Sequence, residues 1–580
     1  MWMSDLPPFI PFYIAALLVL VTRGWTRNIV LLATPILGGL HLWFGVQPYV
    51  PMVATDALVS AKELSFQLTM LGYQLEFMRV DKLSLLFGYL FHIASIIAII
   101  YALHVRDTTQ HVAALLYAGS ALGAVFAGDL ITLFIFWEGL ALSSVFLIWA
   151  RRSERAIRAG IRYLILQVMS GVLLLAGALI HFHQTGSLAF DFIGIESTAG
   201  WLILLAFGIK AAFPFLHTWL TDAYPESTPT GTVFLSAFTT KVAVYALARG
   251  FPGTELLVYI GAAMTCFPIF YAVIENDLRR VLAYSMINQV GFMVCGIGIG
   301  TALALNGAVA HAFNDVIFKG LLFMTMGAVL YRVGNINGSD LGGLYKTMPK
   351  TAILCIVGAS SISAVPLFSG FVSKSMVMSA MLIEGYDYLW LMLLFASAGV
   401  FHHAGIKIPY FAFFHHDSGI RTQEAPNNML VAMTIAAILC IFIGTQPQYL
   451  YALLPWHVEY WPYDITHVLA QLQLLFFSAL AFVWLNKKGL YPPELRSVNI
   501  EVEWLYRKLL PAMGQTSVNR LQRLNQQIAA YTLTIWQSVK LAFQSSRVSQ
   551  YHLASSWPTG SMVLWIGVIL GGYLLMDVYF

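Results

Sequence analysis

Charge is what this sequence is short of. Of its 580 residues only 10% are Asp, Glu, Lys or Arg, where a soluble domain carries about 25%. That shortage excludes a water-soluble globular protein. Intrinsic disorder is excluded too, because 59% of the residues are hydrophobic. Neither sign of charge dominates: 32 basic and 28 acidic side chains give a formal +4, without the basic stripe of a nucleic-acid surface. Cysteine is scarce as well. Cys266, Cys295, Cys355 and Cys440 each stand alone in an apolar stretch, with no CxxC and no Cys/His pairing. Neither a metal site nor a disulfide framework is indicated, and no cofactor motif is present. The opening MWMSDLPPFIPFY lacks the basic start of a secretory signal, so its hydrophobic run reads as a first membrane helix.

What the sequence has in abundance is long apolar runs. A membrane helix needs about 20 mostly apolar residues, and about sixteen such runs are present. They lie near 8–23, 28–46, 82–104, 110–127, 129–149, 160–182, 200–221, 230–249, 255–274, 281–300, 303–331, 352–383, 388–414, 428–446, 468–485 and 561–579. The alternating segments of about ten residues that a membrane barrel would show are absent. An all-α polytopic membrane protein with about 14–16 transmembrane helices is predicted.

Arginine places the loops. Arg151, Arg152, Arg155, Arg158 and Arg162 follow the fifth run, and Arg279 and Arg280 follow the ninth. Loops 183–199 and 447–467 hold no Lys or Arg. By the positive-inside rule, the N-terminus is outside and the loops after odd-numbered helices are cytoplasmic. Two runs are interrupted: IKAAFPFLHTW by Pro214, and SAVPLFSGFVSK by Pro366 and Gly370. Proline removes a helical hydrogen bond, which lipid tolerates only where protein or a wet cavity satisfies the freed backbone. The breaks lie five helices apart, and an odd repeat must be inverted. Paired breaks in corresponding positions point to a transport site, although proline kinks alone are common.

Ionisable residues inside the runs are the informative feature, since each costs at least about 2.5–3.5 kcal/mol at a helix centre. Glu138 lies in LITLFIFWEGLALSSVFLIW. Lys210 comes one turn before the Pro214 break, and Lys241 lies in FLSAFTTKVAVYAL. His311, Asp315 and Lys319 recur at i, i+4, i+8, forming a stripe down one helix face. Lys374 follows the second break. Such groups, joined by water, can pass protons laterally: burial lowers a lysine's proton affinity, a nearby carboxylate restores it, and histidine suits a relay near neutral pH. Lys407, near the end of the thirteenth run, could equally snorkel to the interface, as to a lesser degree could Lys241. His217 could tie down the first break, while His402, His403, His415 and His416 read as interfacial.

After Gly514, apolar residues recur at helical spacing from Val518, Leu521, Leu524 and Ile528 through Tyr531, Ile535 and Val539, with polar residues between. This is an amphipathic helix for the cytoplasmic membrane surface or a partner subunit, followed by a last membrane helix.

The runs FWEGLALSSVFLI, IKAAFPFLHTWLTDAYPESTPTGTVFLSAFTTKVAVYAL, ENDLRRVLAYSMINQVGFM, HAFNDVIFKGLLF and PLFSGFVSKSMVM together resemble the antiporter-like membrane subunits of respiratory complex I and of Mrp-type cation/proton antiporters. The resemblance covers roughly residues 80–415. The D-type subunit of Mrp antiporters is nearest in LYKTMPKT, SGFVSKSM and GIKIPYFAFF, but this chain has a C-terminal extension that leaves the parent complex open. The resemblance implies two inverted five-helix repeats, helices four to eight and nine to thirteen, each with a broken helix. It also implies proton-transfer roles for Glu138, Lys210, Lys241, Lys319 and Lys374, and places Arg279 and Arg280 in a cytoplasmic loop motif. Five segments are expected: 1–105, N-terminal helices; 106–250 and 251–415, the repeats; 416–486, accessory helices; and 487–580, the amphipathic and terminal helices. The expected function is proton translocation in a multisubunit Na+/proton antiporter of the cell inner membrane, with other membrane subunits as partners and no cofactor. Two alternatives stay open: a pumping subunit of a complex I-like or hydrogenase redox complex, and the energising subunit of an inorganic-carbon uptake complex.

Overall fold

The computed structural model describes residues 6–50, 64–70, 72–495, 499–545 and 559–579. They divide into two units, 1–499 and 500–580. The first unit begins with α1 (Ile10–Val21), α2 (Gly24–Leu40), a π-helical turn (His41–Val46) and α3 (Lys82–Ala102). Between α2 and α3, β1 (Phe66–Met70) pairs antiparallel with β2 (Tyr73–Met78), Met70 opposite Tyr73. This hairpin was not expected, because a search for twenty-residue apolar runs passes over five-residue strands.

A first group of helices follows: α4 (Thr108–Phe126), α5 (Leu130–Trp149), α6 (Glu154–Thr185), α7 (Thr198–Ala211), α8 (Thr218–Ala223), α9 (Gly231–Ala237) and α10 (Thr239–Gly250). The second group is α11 (Leu256–Ile274), α12 (Leu278–Ile299), α13 (Ala302–Val333), α14 (Pro349–Ile362), α15 (Ser369–Ile383) and α16 (Asp387–Val400), the last running into π-helical segments Phe401–Lys407 and Tyr410–Phe414. Then come α17 (Asn427–Thr445), α18 (Gln448–Tyr451) and α19 (Ile465–Lys487). Each apolar run predicted in this unit coincides with a helix or a pair of helices. Eleven helices among the described residues are long and apolar enough to cross a membrane.

The two groups are copies. α4 and α11 begin 148 residues apart (108 and 256), as do α6 and α13 (154 and 302), and in both pairs the ends match as well. The reason is local. Asp129 and Asp277 cap the next helix, each accepting from two backbone amides, which neutralises donors a helix start leaves open. Each aspartate also makes a lone antiparallel bridge, Asp129 to Ala189 and Asp277 to Asn337. α6 and α13 both end on a left-handed glycine, Gly186 and Gly334.

The two breaks are equally alike. Ala212 and Phe215 have positive φ (62° and 68°), and so do Ala364 and Leu367 (55° and 75°). Ala212, Phe213 and Leu216 donate to the carbonyls of Ile209, Gly208 and Phe213; Ala364, Val365 and Phe368 donate to those of Ser361, Ser360 and Val365. Four non-glycine residues in strained backbone cost about 1–3 kcal/mol each, so the surrounding helices must hold this geometry. With five membrane segments per copy, the second copy runs opposite to the first.

α13 is the axis of the unit: every residue from Ala304 to Val329 is buried. In the second unit, a π-helical turn (Leu505–Leu509) leads into α20 (Leu510–Ser545), and α21 is Thr559–Tyr579. α20 starts earlier than the expected Gly514. Its stripe of Val518, Leu521, Leu524, Ile528, Tyr531, Ile535 and Val539 is exposed.

α11 and α12 cross on glycine. A Cβ on Gly261 would lie 2.5 Å from the Cys295 amide nitrogen, and one on Gly291 would lie 2.8 Å from the Gly261 carbonyl oxygen. Gly261→Leu is expected to force these helices apart and destabilise the protein by about 1–3 kcal/mol. Thermal unfolding of the detergent-solubilised protein checks this; an unchanged midpoint would contradict so close a crossing.

Candidate functional site: a line of buried charges

The ionisable residues predicted from sequence fall into two groups. The first is at the α5–α7 contact. Lys210 is fully buried at the end of α7, donates to the Trp137 carbonyl at 3.0 Å and lies 5.0 Å over the Trp137 ring. Glu138, half-buried on α5, interacts electrostatically with it. The Glu138 Oε1 atom is buried and has no hydrogen-bond partner among the described residues. Its space comes from Gly171 on α6, where a Cβ would collide with that oxygen. Trp137 is held in turn by Ser170, which accepts from the indole N–H at 2.9 Å and donates to the Ala206 carbonyl.

The second group surrounds α13. Lys241 of α10 and Asp315 of α13 form an ion pair of 2.6 Å with both side chains at 0% exposure. One turn on, Lys319 donates to the Ser285 hydroxyl at 2.8 Å. One turn back, His311 lies 3.0 Å from Gln289 Oε1 through Nε2 and 3.0 Å from Ser373 Oγ through Nδ1. The Gln289 oxygen can only accept, so Nε2 carries hydrogen. In neutral His311, Nδ1 then accepts from Ser373; in imidazolium it donates. Lys374 donates to the Ile362 carbonyl at 3.3 Å, at the end of α14, and lies 4.8 Å over the Phe292 ring. Lys241, Lys319 and Lys374 all act electrostatically on His311. The stripe read from sequence is therefore real, but Asp315 spends its one ion pair on Lys241, across helices.

Lys407 departs from the snorkelling alternative. It is fully buried and donates to three carbonyls at the end of α11: Ala272 (3.2 Å), Val273 (2.7 Å) and Glu275 (2.7 Å). It also pairs with Glu494 at 2.9 Å. Burial pushes the Glu494 carboxyl up, against the pull of the ammonium. Adjacent to it, His403 is fully buried, not interfacial. His217 is buried at the first break, its ring 4.7 Å from that of Phe267 on α11. Arg279 is no free loop charge either. It has 0% exposure and donates to the carbonyls of Tyr224, Pro225, Ser227 and Thr228, closing the loop after α8.

Sequence reading missed the polar partners Ser285, Gln289, Asn314 and Ser373, although AYSMINQVGF carries two of them visibly within an apolar run. It also missed Gly171 and the buried pair Arg249–Asp81 (2.6 Å), whose members sit at helix ends, Asp81 capping α3 and Arg249 in the last turn of α10. No group of three metal-ligating side chains occurs among the described residues.

This architecture has relatives. Residues 127–402 match the transmembrane family described as NADH:quinone oxidoreductase/Mrp antiporter. The chain is 28% identical to hydrogenase-4 component B of Escherichia coli over 357 residues, 54% of this chain and 53% of that protein. It is 30% identical to the A-type Na(+)/H(+) antiporter subunit of Alkalihalophilus pseudofirmus over 426 residues, 64% of this chain and 52% of that one. Against the D-type subunit of the same organism the figures are 29% over 357 residues, 57% and 72%. The match thus spans about half the length of the first two proteins. Identity does not separate A-type, D-type and hydrogenase relatives, so the motifs that favour the D type do not single out that member. The fold matches a chain of the Mrp complex from Dietzia sp. DQ12-45-1b at TM-score 0.70 and 22% identity, covering 83% of this chain and 99% of that one. It also matches a chain of the membrane-bound sulfane sulfur reductase, an archaeal respiratory membrane complex, at TM-score 0.70 and 21% identity, covering 98% and 99%. The chain is a multi-pass membrane protein whose residues 127–402 match this family's model.

Gly171 offers a test of the first group. Gly171→Ala is expected to displace the Glu138 carboxyl and destabilise the protein by about 1–3 kcal/mol, while Gly171→Ala with Glu138→Asp, which shortens the acid by one methylene, recovers part of the loss. Thermal unfolding of the detergent-solubilised protein reads this. A wild-type midpoint for Gly171→Ala would show that Glu138 does not need this seat.

Proposed function

We propose that this chain is the proton-translocating subunit of a multisubunit monovalent cation/proton antiporter in the cell inner membrane, with Na+ as the exchanged cation. One observation carries the reading: three lysines, one aspartate and one histidine share a buried cluster around α13. Were all ionisable members of that cluster charged, three ammonium groups and an imidazolium would face a single carboxylate. Burial disfavours such a surplus strongly, so occupancy of one site depends on occupancy of the next. Asp315 is the natural switch. It lies on the same helix face as Lys319, one turn away, and its ion pair with Lys241 can be exchanged for one with Lys319. Transfer of the pair releases the proton of the lysine it leaves. His311 and Ser373 extend the path toward Lys374.

Glu138 argues for partners. A half-buried carboxylate in the middle of α5 would be costly against hydrocarbon. Coverage by a neighbouring membrane protein removes that penalty and gives the charge line a continuation. A cation site needs clustered oxygen ligands, which suits a second subunit for the cation path.

A second reading has its own support. Hydrogenase-4 component B is among the relatives, and the chain of the archaeal respiratory complex aligns along 98% of this one, a span that takes in the C-terminal extension. Under that reading the same charge line is driven by redox partners. Purification with flavin or iron–sulfur subunits would select it, and purification with a large zinc-containing soluble protein would select inorganic-carbon uptake instead.

Glu138→Ala or Lys210→Ala should abolish cation/proton exchange in everted vesicles while the complex still assembles. Exchange at the wild-type rate in either variant would reject the line as drawn.

A further inference from the structure

α9 and α10 are a single apolar run with an interruption at Phe238 that no local residue demands. Leu235-Ser236-Ala237-Phe238-Thr239-Thr240-Lys241 contains neither proline nor glycine, the usual causes of a break. In a continuous helix the Thr239 N–H would donate to the Leu235 carbonyl. Here that bond is open and each half has a phenol. The Leu235 carbonyl accepts from the Tyr224 hydroxyl at 2.8 Å. The Thr239 N–H donates to the Tyr117 hydroxyl oxygen at 3.0 Å, which also lies 2.6 Å from Thr239 Oγ1. Both tyrosines are fully buried, Tyr117 on α4 and Tyr224 just beyond α8, and their hydroxyls interact with each other.

The opening matters for what comes two residues later. Lys241 donates to the Ser236 carbonyl at 3.2 Å while pairing with Asp315 at 2.6 Å. In a wound helix that carbonyl would be engaged by the Thr240 N–H.

We propose that Tyr117 and Tyr224 are a two-hydroxyl latch that holds the α9–α10 helix open and so provides the Lys241 ammonium with a second acceptor opposite Asp315. When the hydroxyls withdraw, the helix winds, the Thr239 N–H takes the Leu235 carbonyl, and Lys241 is left with Asp315 alone. Both tyrosines are positioning residues, since neither touches Lys241. The groups facing Lys241 are Asp315, with His311 and Lys319 of the same helix in electrostatic range. The latch deepens the transport reading and rests on it for its functional consequence, but not for its geometry.

The test uses the assembled complex carrying Tyr117→Phe, Tyr224→Phe, or both. In a structure of the double variant, Gly231–Gly250 should be one continuous helix with Lys241 off the Ser236 carbonyl. In vesicles, the pH of half-maximal proton transport should fall by about one unit, a tenfold loss of proton affinity, with each single variant intermediate. Tyr224→Phe deletes the donor to the Leu235 carbonyl together with its contact to the Tyr117 hydroxyl, leaves the Thr239 bonds of Tyr117 in place, and keeps the test open if the double variant does not assemble. Tyr101→Phe removes an equally buried hydroxyl, bound to the Met324 carbonyl, and should keep the wild-type profile. A helix that stays interrupted, a wound helix with an unmoved profile, or an equal shift in Tyr101→Phe would each overturn the latch. Failure of the transport reading is visible separately, as wild-type transport in Lys241→Ala, and leaves the structural comparison intact.

Discussion

An ammonium group in hydrocarbon needs an acceptor, and this fold supplies acceptors by ending helices inside the membrane. Lys241 rests on Ser236 where α9 stops and Lys374 on Ile362 where α14 stops; Lys407 uses Ala272, Val273 and Glu275 in the same way where the full-length α11 meets its loop. The last carbonyls of a helix have no partner of their own and carry its negative dipole end. Left bare in lipid they would be as unfavourable as the charge. Placed together, the two liabilities cancel, and a charge-assisted hydrogen bond of about 1.5–3 kcal/mol results. The second break is therefore part of the charge line: beside the strained backbone at Ala364 and Leu367, the Ile362 carbonyl at the end of α14 receives Lys374.

The two copies have parted company where chemistry requires it. The backbone frame survives to the residue: capping aspartates, terminal glycines and break geometry all recur. The side chains on the matching long helices do not. In register, Tyr163, Gln167 and Gly171 of α6 stand where His311, Asp315 and Lys319 of α13 stand. The first copy keeps an uncharged stripe and puts its acid on α5, filling the gap left by Gly171. The second puts acid, base and relay on one helix. One scaffold thus holds an isolated Glu138–Lys210 pair at one end and a crowded cluster at the other. The pair matches one acid with one base, whereas the cluster sets four bases around one acid, so the two ends answer differently to an added proton.

Apolar run length, the two proline breaks and the intramembrane charges were legible in the sequence because each leaves a signal within a few residues of itself. Lys210, Lys319 and Lys374 stand out against their runs whatever they touch. The partners of those charges were not legible. Asp315 could be placed on the Lys319 face by spacing, yet only packing of α10 against α13 delivers it to Lys241. The Phe238 interruption left no trace, since its cause lies in Tyr117 and Tyr224, 121 and 14 residues upstream of Phe238. Lys407 was ambiguous for a similar reason: Glu494, which anchors it, comes from a segment that looks like a polar tail. Non-local hydrogen bonds, not local propensity, decide these points.

The kinship with antiporter and redox proteins alike is understandable from the same physics. The cluster around α13 is built of lysines, an aspartate and a histidine, groups whose proton occupancy responds to charge placed next to them. Any process that moves a charge against Glu138 at one end, or against the Lys374–Lys407 side at the other, changes the balance that decides which lysine holds its proton. A cation entering a neighbouring protein and a cofactor changing oxidation state are equivalent inputs in that respect. On the proposed reading, the line of charges specifies what is moved, and the partners that adjoin it specify what moves it.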